Sequence, residues 1–180
     1  MAESFVNASA RATGTVSTST NGTIGAASTT ITGITTTTIQ VGDMVVNQHF
    51  LGGTKVYEIT APNTCTVTKT STNTGSASSQ TIKFLNGQTI YTSPAATKSI
   101  LVGGTFSNLA HSQVKFYLEI NDNSLSTNTG ICNDIPIPSG SSFVISDAGK
   151  TILEGNDYLR VYVDTAGAVD VTLSILQGVK

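Results

Sequence analysis

The stretch Gly149-Lys150-Thr151-Ile152-Leu153-Glu154-Gly155-Asn156-Asp157-Tyr158-Leu159-Arg160-Val161-Tyr162-Val163-Asp164 decides the fold class of this chain. Leu159, Val161 and Val163 recur at every second position, with Tyr158, Arg160 and Tyr162 between them. That period belongs to a strand with one face buried. Glu154-Gly155-Asn156-Asp157 precedes it as a turn, with Gly155 expected at positive φ and Asn or Asp bonding nearby backbone. A shorter version, Thr38-Ile39-Gln40-Val41-Gly42-Asp43-Met44-Val45-Val46, occurs earlier. Two such units predict two β modules and specify no chemistry.

Working outward, the second half reads cleanly. Lys98–Phe106, Val114–Ile120, Ile131–Ile135, Phe143–Ser146, Ile152-Leu153, Tyr158–Val163 and Val169–Leu176 make about seven strands, spaced near ten residues with no helical period. Pro136 and Pro138 place their segment at a sheet edge or crossing, because proline has no amide to donate to a ladder. The expected fold is all-β: two small β modules, the C-terminal one a β-sandwich or jelly-roll-like fold.

The first half is less regular. Residues 1–12 read as an N-terminal arm ordered only against a partner, with Phe5 and Val6 as its large apolar residues. Residues 13–92 read as a Thr/Ser-rich β module. Seven threonines fall between residues 29 and 38, predicting strands at Thr29–Thr32 and Thr36–Gln40 parted by a turn at Gly33. Residues 13–28 read as loop or short strand, and Thr70–Gln80 as low-complexity loop. Asn86-Gly87 is the strongest hairpin signal. Residues 93–97, Ser-Pro-Ala-Ala-Thr, read as a linker to a sandwich module at 98–180.

Charged residues make up 11% of the 180 and the net charge is −2, while Val, Ile, Thr, Tyr and Phe are plentiful. This is a folded β composition whose solubility rests on hydroxyls and amides. Nine basic residues against eleven acidic ones, with no run of Lys or Arg, leave no footprint for nucleic acid. No segment approaches the roughly 20 apolar residues of a membrane helix, and the start does not read as a signal peptide. Few charges guard the strand edges, so assembly into a symmetric homo-oligomer, formed mainly through the first module, is expected.

No catalytic, cofactor-binding or metal-binding residue is assigned. Glu154, Asp157 and Asp164 form the densest acidic group, but their spacing is not that of a calcium loop. His49 and His111 stand alone beside apolar strands. Cys65 and Cys132 read as unpaired packing residues, without zinc-ligand spacing. There is no Gly-x-Ser-x-Gly elbow, and neither Gly52-Gly53 nor Gly103-Gly104 begins a phosphate loop. Tyr57, Tyr91, Tyr117, Tyr158 and Tyr162 suggest either a sugar platform or cross-strand packing; without tryptophan, packing is the expected role. An enzyme is not expected.

At Lys98-Ser-Ile-Leu-Val-Gly-Gly-Thr-Phe106, Ile135-Pro-Ile-Pro-Ser-Gly-Ser-Ser142, Lys150-Thr-Ile-Leu-Glu-Gly-Asn-Asp-Tyr-Leu-Arg-Val161 and Val169-Asp-Val-Thr-Leu-Ser-Ile-Leu176, the second module resembles accessory β-sandwich virion proteins of tailed, marine and cyanobacterial bacteriophages. The resemblance implies a structural role without catalytic residues or cofactors, and it favours a trimer for the homo-oligomer, because such particles offer threefold and sixfold sites. Its expected place is the virion, assembled in the host cytoplasm, as a capsid decoration or cement protein. Collar, tail or fibre-attachment component, and carbohydrate-binding adhesin, are the alternatives. The partners implied are other virion proteins, namely the major capsid protein or neck and tail proteins, with neither nucleic acid nor membrane.

Overall fold

The computed structural model describes residues 3–179, the side chains of residues 147–150 excepted. Every regular element among them is a strand. The strands are β1 (Ser4–Thr13), β2 (Thr15–Ile24), β3 (Thr30–Thr32), β4 (Met44–Val46), β5 (Val56–Ala61), β6 (Thr64–Val67), β7 (Ala77–Asn86), β8 (Gln88–Thr92), β9 (Lys98–Asn108), β10 (Val114–Asp122), β11 (Thr127–Ile137), β12 (Ser142–Leu153), β13 (Tyr158–Val163) and β14 (Val169–Val179). They form two compact units: Met1–Gly14 with Gln88–Lys180, and Thr15–Gly87.

The first unit is an eight-stranded sandwich. One sheet runs β1-β14-β9-β12 and the other β11-β10-β13-β8, with every pairing antiparallel. Renumbered within the unit, the sheets read 1-8-3-6 and 5-4-7-2, the strand order of a jelly roll. Between the sheets lie Phe106, Leu153, Val171, Leu173 and Ile175 from the first, and Phe116, Leu118, Leu159, Val161 and Val163 from the second. Phe106 and Phe116 stack at 4.2 Å between ring centroids. Each large side chain buried there stabilises the unit by about 1.5–3 kcal/mol.

The second unit carries a six-stranded sheet, β4-β7-β2-β3-β6-β5, that closes on itself. Met44 bridges Lys55, and across that seam the Val45 amide donates to the Thr54 carbonyl, the Gly42 amide to Val56, and the Val56 amide to Asp43, at 2.8–2.9 Å. Ile24, Ile31, Ile34, Ile39, Val45, Phe50, Val56, Val67, Ile82 and Phe84 fill the interior of this small barrel. The closure is short: β4 meets β7 only at residues 83–85 and the seam reaches only to Val56, so residues 77–82 of β7 and 57–61 of β5 are laddered to a named strand on one side only.

Several boundaries differ from the expected ones. The arm at 1–12 is instead β1, laddered to β14 from Ser4↔Gln177 to Thr13↔Val169, with Val6 and Ala8 packed on the sandwich core. Met1, Ala2 and Lys180 lie outside the described residues. The module boundary at 92 and linker at 93–97 move back to Gly87/Gln88. β8 pairs with β13, and Ser93 is buried, donating its amide to the Asp157 carbonyl at 2.8 Å. The sandwich is therefore made from both ends of the chain and holds the barrel as an insert between its first two strands.

Asn86-Gly87 is not a hairpin. β7 pairs with β2 and β4, while β8 crosses to the sandwich. A tight type I′ hairpin needs positive φ at both turn residues, and neither Asn86 nor Gly87 has it. The Asn86 side chain instead donates to Asp43 Oδ1 at 3.0 Å. Residues 15–24, read as loop or short strand, form a ten-residue strand, and β7 begins at Ala77, inside the stretch 70–80 read as loop. Thr36–Gln40 is not a strand; Thr36 there donates its hydroxyl to the Pro62 carbonyl at 2.8 Å. Gly33 does turn at φ 70°, and β11, with its two prolines close by, is a sheet edge.

Candidate functional site

The acidic residues come first, because the sequence groups them. Asp157 is buried, its Oδ2 accepting the Glu154 amide at 2.8 Å and its Oδ1 the Asn123 amide at 3.0 Å. Glu154 faces Lys98 at 2.9 Å. Asp164 Oδ1 accepts the Lys115 amide and the Thr165 hydroxyl. The three carboxylates thus do three separate jobs, and no cluster of metal-ligating side chains occurs among the described residues.

Asp157 and Asp43 share one device. In both, the aspartate amide donates to the carbonyl three residues back at 3.1 Å, and its Oδ2 accepts that residue's amide at 2.8 Å. The third residue of each turn has positive φ: Gly42 at 90° and Asn156 at 71°. Gly155, expected at positive φ, is not the strained residue. It is glycine because a Cβ there would overlap the Ala95 carbonyl.

The other singled-out residues scatter. Cys65 and Cys132 are free and buried, one in each unit. Burial pushes the Cys65 thiol up to about 11 and raises that of Cys132 as well, which keeps both protonated and unreactive. His49 lies in the barrel and His111 in the sandwich. Tyr91 joins a hydroxyl chain through Ser99 to Ser93, each step 2.9 Å, which fixes the β8–β9 connection.

On the outer face of the β11-β10-β13-β8 sheet, Tyr117 stands opposite Tyr162 and Glu119 opposite Arg160. These are outward positions, alternating with the core residues Phe116, Leu118, Val161 and Val163. Yet Glu119 is only 3% exposed and Tyr162 wholly buried. The Tyr117 hydroxyl donates to Asp134 Oδ1, and Lys115 Nζ to Asp134 Oδ2, each at 2.7 Å. Burial works to raise the Asp134 carboxyl, but these two hydrogen bonds outweigh it and hold it below its ordinary value. Both tyrosines are pushed above theirs, by burial first, then for Tyr117 by bonding to Asp134 and for Tyr162 by the Glu119 charge. Tyr57 belongs to the other unit. Within the sandwich, Tyr117 and Tyr162 are buried and present no open ring face to a sugar.

The β1-β14-β9-β12 sheet has the opposite character. Phe5 lies beside Leu176, Leu176 beside Ile100, and Ile100 beside Ile152. Their chain neighbours Val6, Ile175, Leu101 and Leu153 point into the core, so the four form an apolar row across the outer face. Phe5 is 75% exposed and Ile152 55%. Val102 and Val144 extend the row, and a groove of about 830 Å³ opens over Gly103 and Gly104 beside it. β1 and β12 each pair on one side only. A contiguous apolar patch of this kind marks an interaction surface. The sequence carries its signal in four apolar doublets, Phe5-Val6, Ile100-Leu101, Ile152-Leu153 and Ile175-Leu176. In a strand, one member of each doublet must face outward.

Comparison of the chain with protein-family models, with curated proteins and with solved structures found no match in any of the three.

Proposed function

We propose that this chain is a non-enzymatic structural component of a tailed-phage virion, a decoration or cement protein that stabilises the capsid. The observation that carries the reading is a jelly roll with one sheet left bare: an apolar row crosses all four strands, and both edge strands pair on one side only. A surface built to be covered is what a cementing protein needs, since it binds by area and shape rather than by a cleft. The ionisable side chains support the same reading. Asp43, Asp157 and Asp164 hold turns and strand ends, and Asp134 ties β10 to β11. Jelly rolls serve capsids, lectins and other roles alike, so the assignment to a virion rests on the resemblance of residues 98–180 together with this surface.

Quantitative mass spectrometry of purified particles, with imaging of labelled protein on them, tests the reading. Hundreds of copies per particle are expected for a capsid protein. A few to a few dozen would move the chain to the neck, tail or fibre attachment. Its absence from purified particles would overturn the virion reading.

A further inference from the structure

We infer that the outer face of the β1-β14-β9-β12 sheet is a self-association surface, and that its occupant is the same face of a second copy of this chain. The inference rests on the reading of this face as a surface built to be covered and names what covers it; a monomer in solution would overturn the pairing, while the census of purified particles decides the virion reading separately.

Charge favours a copy over another partner. Among the described side chains, the ionisable groups of this sheet sit at its two ends. Arg11 and Asp170 are at one end, where the Ala12 amide bonds Asp170, and the Lys98–Glu154 pair is at the other. Between them the described outward positions of β1, β14 and β9 are Phe5, Asn7, Ser9, Thr172, Ser174, Leu176, Ile100, Val102 and Thr105, all uncharged, while Asp147 and Lys150 of β12 lie outside the described side chains. Among the described side chains of these three strands an acidic or basic partner finds nothing complementary, whereas a neutral face matches itself. The groove offers a small molecule only hydroxyls from Thr105, Ser146, Thr172 and Ser174, without the convergent charged or amide groups that orient a ligand.

Geometry and area fit as well. A twofold axis lying between the faces, parallel to the strands and midway between β14 and β9, lays Phe5 over Ile152 of the second copy and Leu176 over its Ile100. The same axis sets Ser174 over Gly103 of the second copy, a small side chain above a bare backbone, so the sheets can approach to the usual ~10 Å. Four strands of about ten residues present roughly 650 Å² in projection, and more with side-chain relief, against about 800 Å² per partner in a stable interface. The arrangement is isologous and closes at two copies. It differs from the trimer through residues 13–92 expected from sequence, and one mass measurement distinguishes the two.

Light scattering and sedimentation on the full chain at tens of micromolar test this. The expected mass is twice the chain's 18.6 kDa. Phe5→Lys with Ile152→Lys, both at exposed positions, should give a monomer with an unchanged far-ultraviolet spectrum. Should that variant fail to fold, Ile152→Thr, which keeps a β-branched strand residue, should weaken the dimer about tenfold, equivalent to 1.4 kcal/mol. Val41→Lys in the barrel should leave the mass unchanged. A monomeric or trimeric wild-type chain, or a dimer indifferent to the face substitutions, overturns the inference.

Discussion

In the barrel, Asp43 leads into β4 through the same turn by which Asp157 leads into β13 in the sandwich, but the two turns sit in different surroundings. The second turn residue is Val41 in the barrel, largely exposed, and Gly155 in the sandwich, pressed beneath the Ala95 carbonyl. The units also finish their sheets differently. The barrel brings β4 round to the strand beside it, whereas the sandwich leaves β1 and β12 with one neighbour each. The difference teaches that one local device serves either end state, and that what surrounds the turn decides which of its residues is irreplaceable.

Removing residues 1–12 is the harshest test. It strips one partner from β14 and takes Val6 and Ala8 from the core. A loss of several kcal/mol is expected, read as a fall in the sandwich's melting temperature well beyond 10 °C at about 4–8 °C per kcal/mol. Unchanged melting would return β1 to the status of an arm. Next in size, Gly155→Val should cost about 2–4 kcal/mol, because its Cβ meets fixed backbone rather than a movable side chain. The matching change Val41→Gly should cost under about 1 kcal/mol, for backbone entropy alone. Equal losses would mean that the crowding at Gly155 relaxes freely.

Asp43→Ala and Asp157→Ala each remove an acceptor of two hydrogen bonds and should each cost about 1–3 kcal/mol in chemical denaturation. A large disparity between them would break the equivalence of the two turns. The mildest change is Gly42→Asn. Asn156 already occupies the matching position at φ 71°, and a Cβ at Gly42 meets nothing within 4 Å. Asparagine tolerates this region, so a shift within about 1 kcal/mol is expected.

Of the sandwich strands, β10, β13 and β14 were the most legible, because their inward positions carry Leu, Ile, Val and Phe in alternation. β2 was not, for a steric reason: its core-facing positions include Ser19 and Gly22. Gly22 leaves room for Ile82, whose Cδ1 would lie 2.5 Å from a Cβ there. The apolar residue that fills that site comes from the opposite strand, so no period shows in β2 itself. β1 hid its role likewise, with Ala8 and Ala10 as inward residues beside Val6. The Asn86-Gly87 hairpin misled because the asparagine is bound by a distant aspartate, a long-range contact that local turn statistics do not contain. The apolar row on the outer face was visible as four doublets, but only knowledge of the sheet order brings them side by side.

Placing the insert between the first two sandwich strands has a consequence for the order of events during synthesis. The barrel, Thr15–Gly87, is contiguous and can fold as soon as it leaves the ribosome. β1 emerges before the other sandwich strands, yet its partner β14 begins at Val169. At about 5–20 residues per second, β1 waits roughly 8–30 seconds with its ladder unmade. The sandwich strand that is made before its fellows is thus among the last of them to be paired, and it waits with only Phe5 and Val6 as large apolar side chains until β14 arrives.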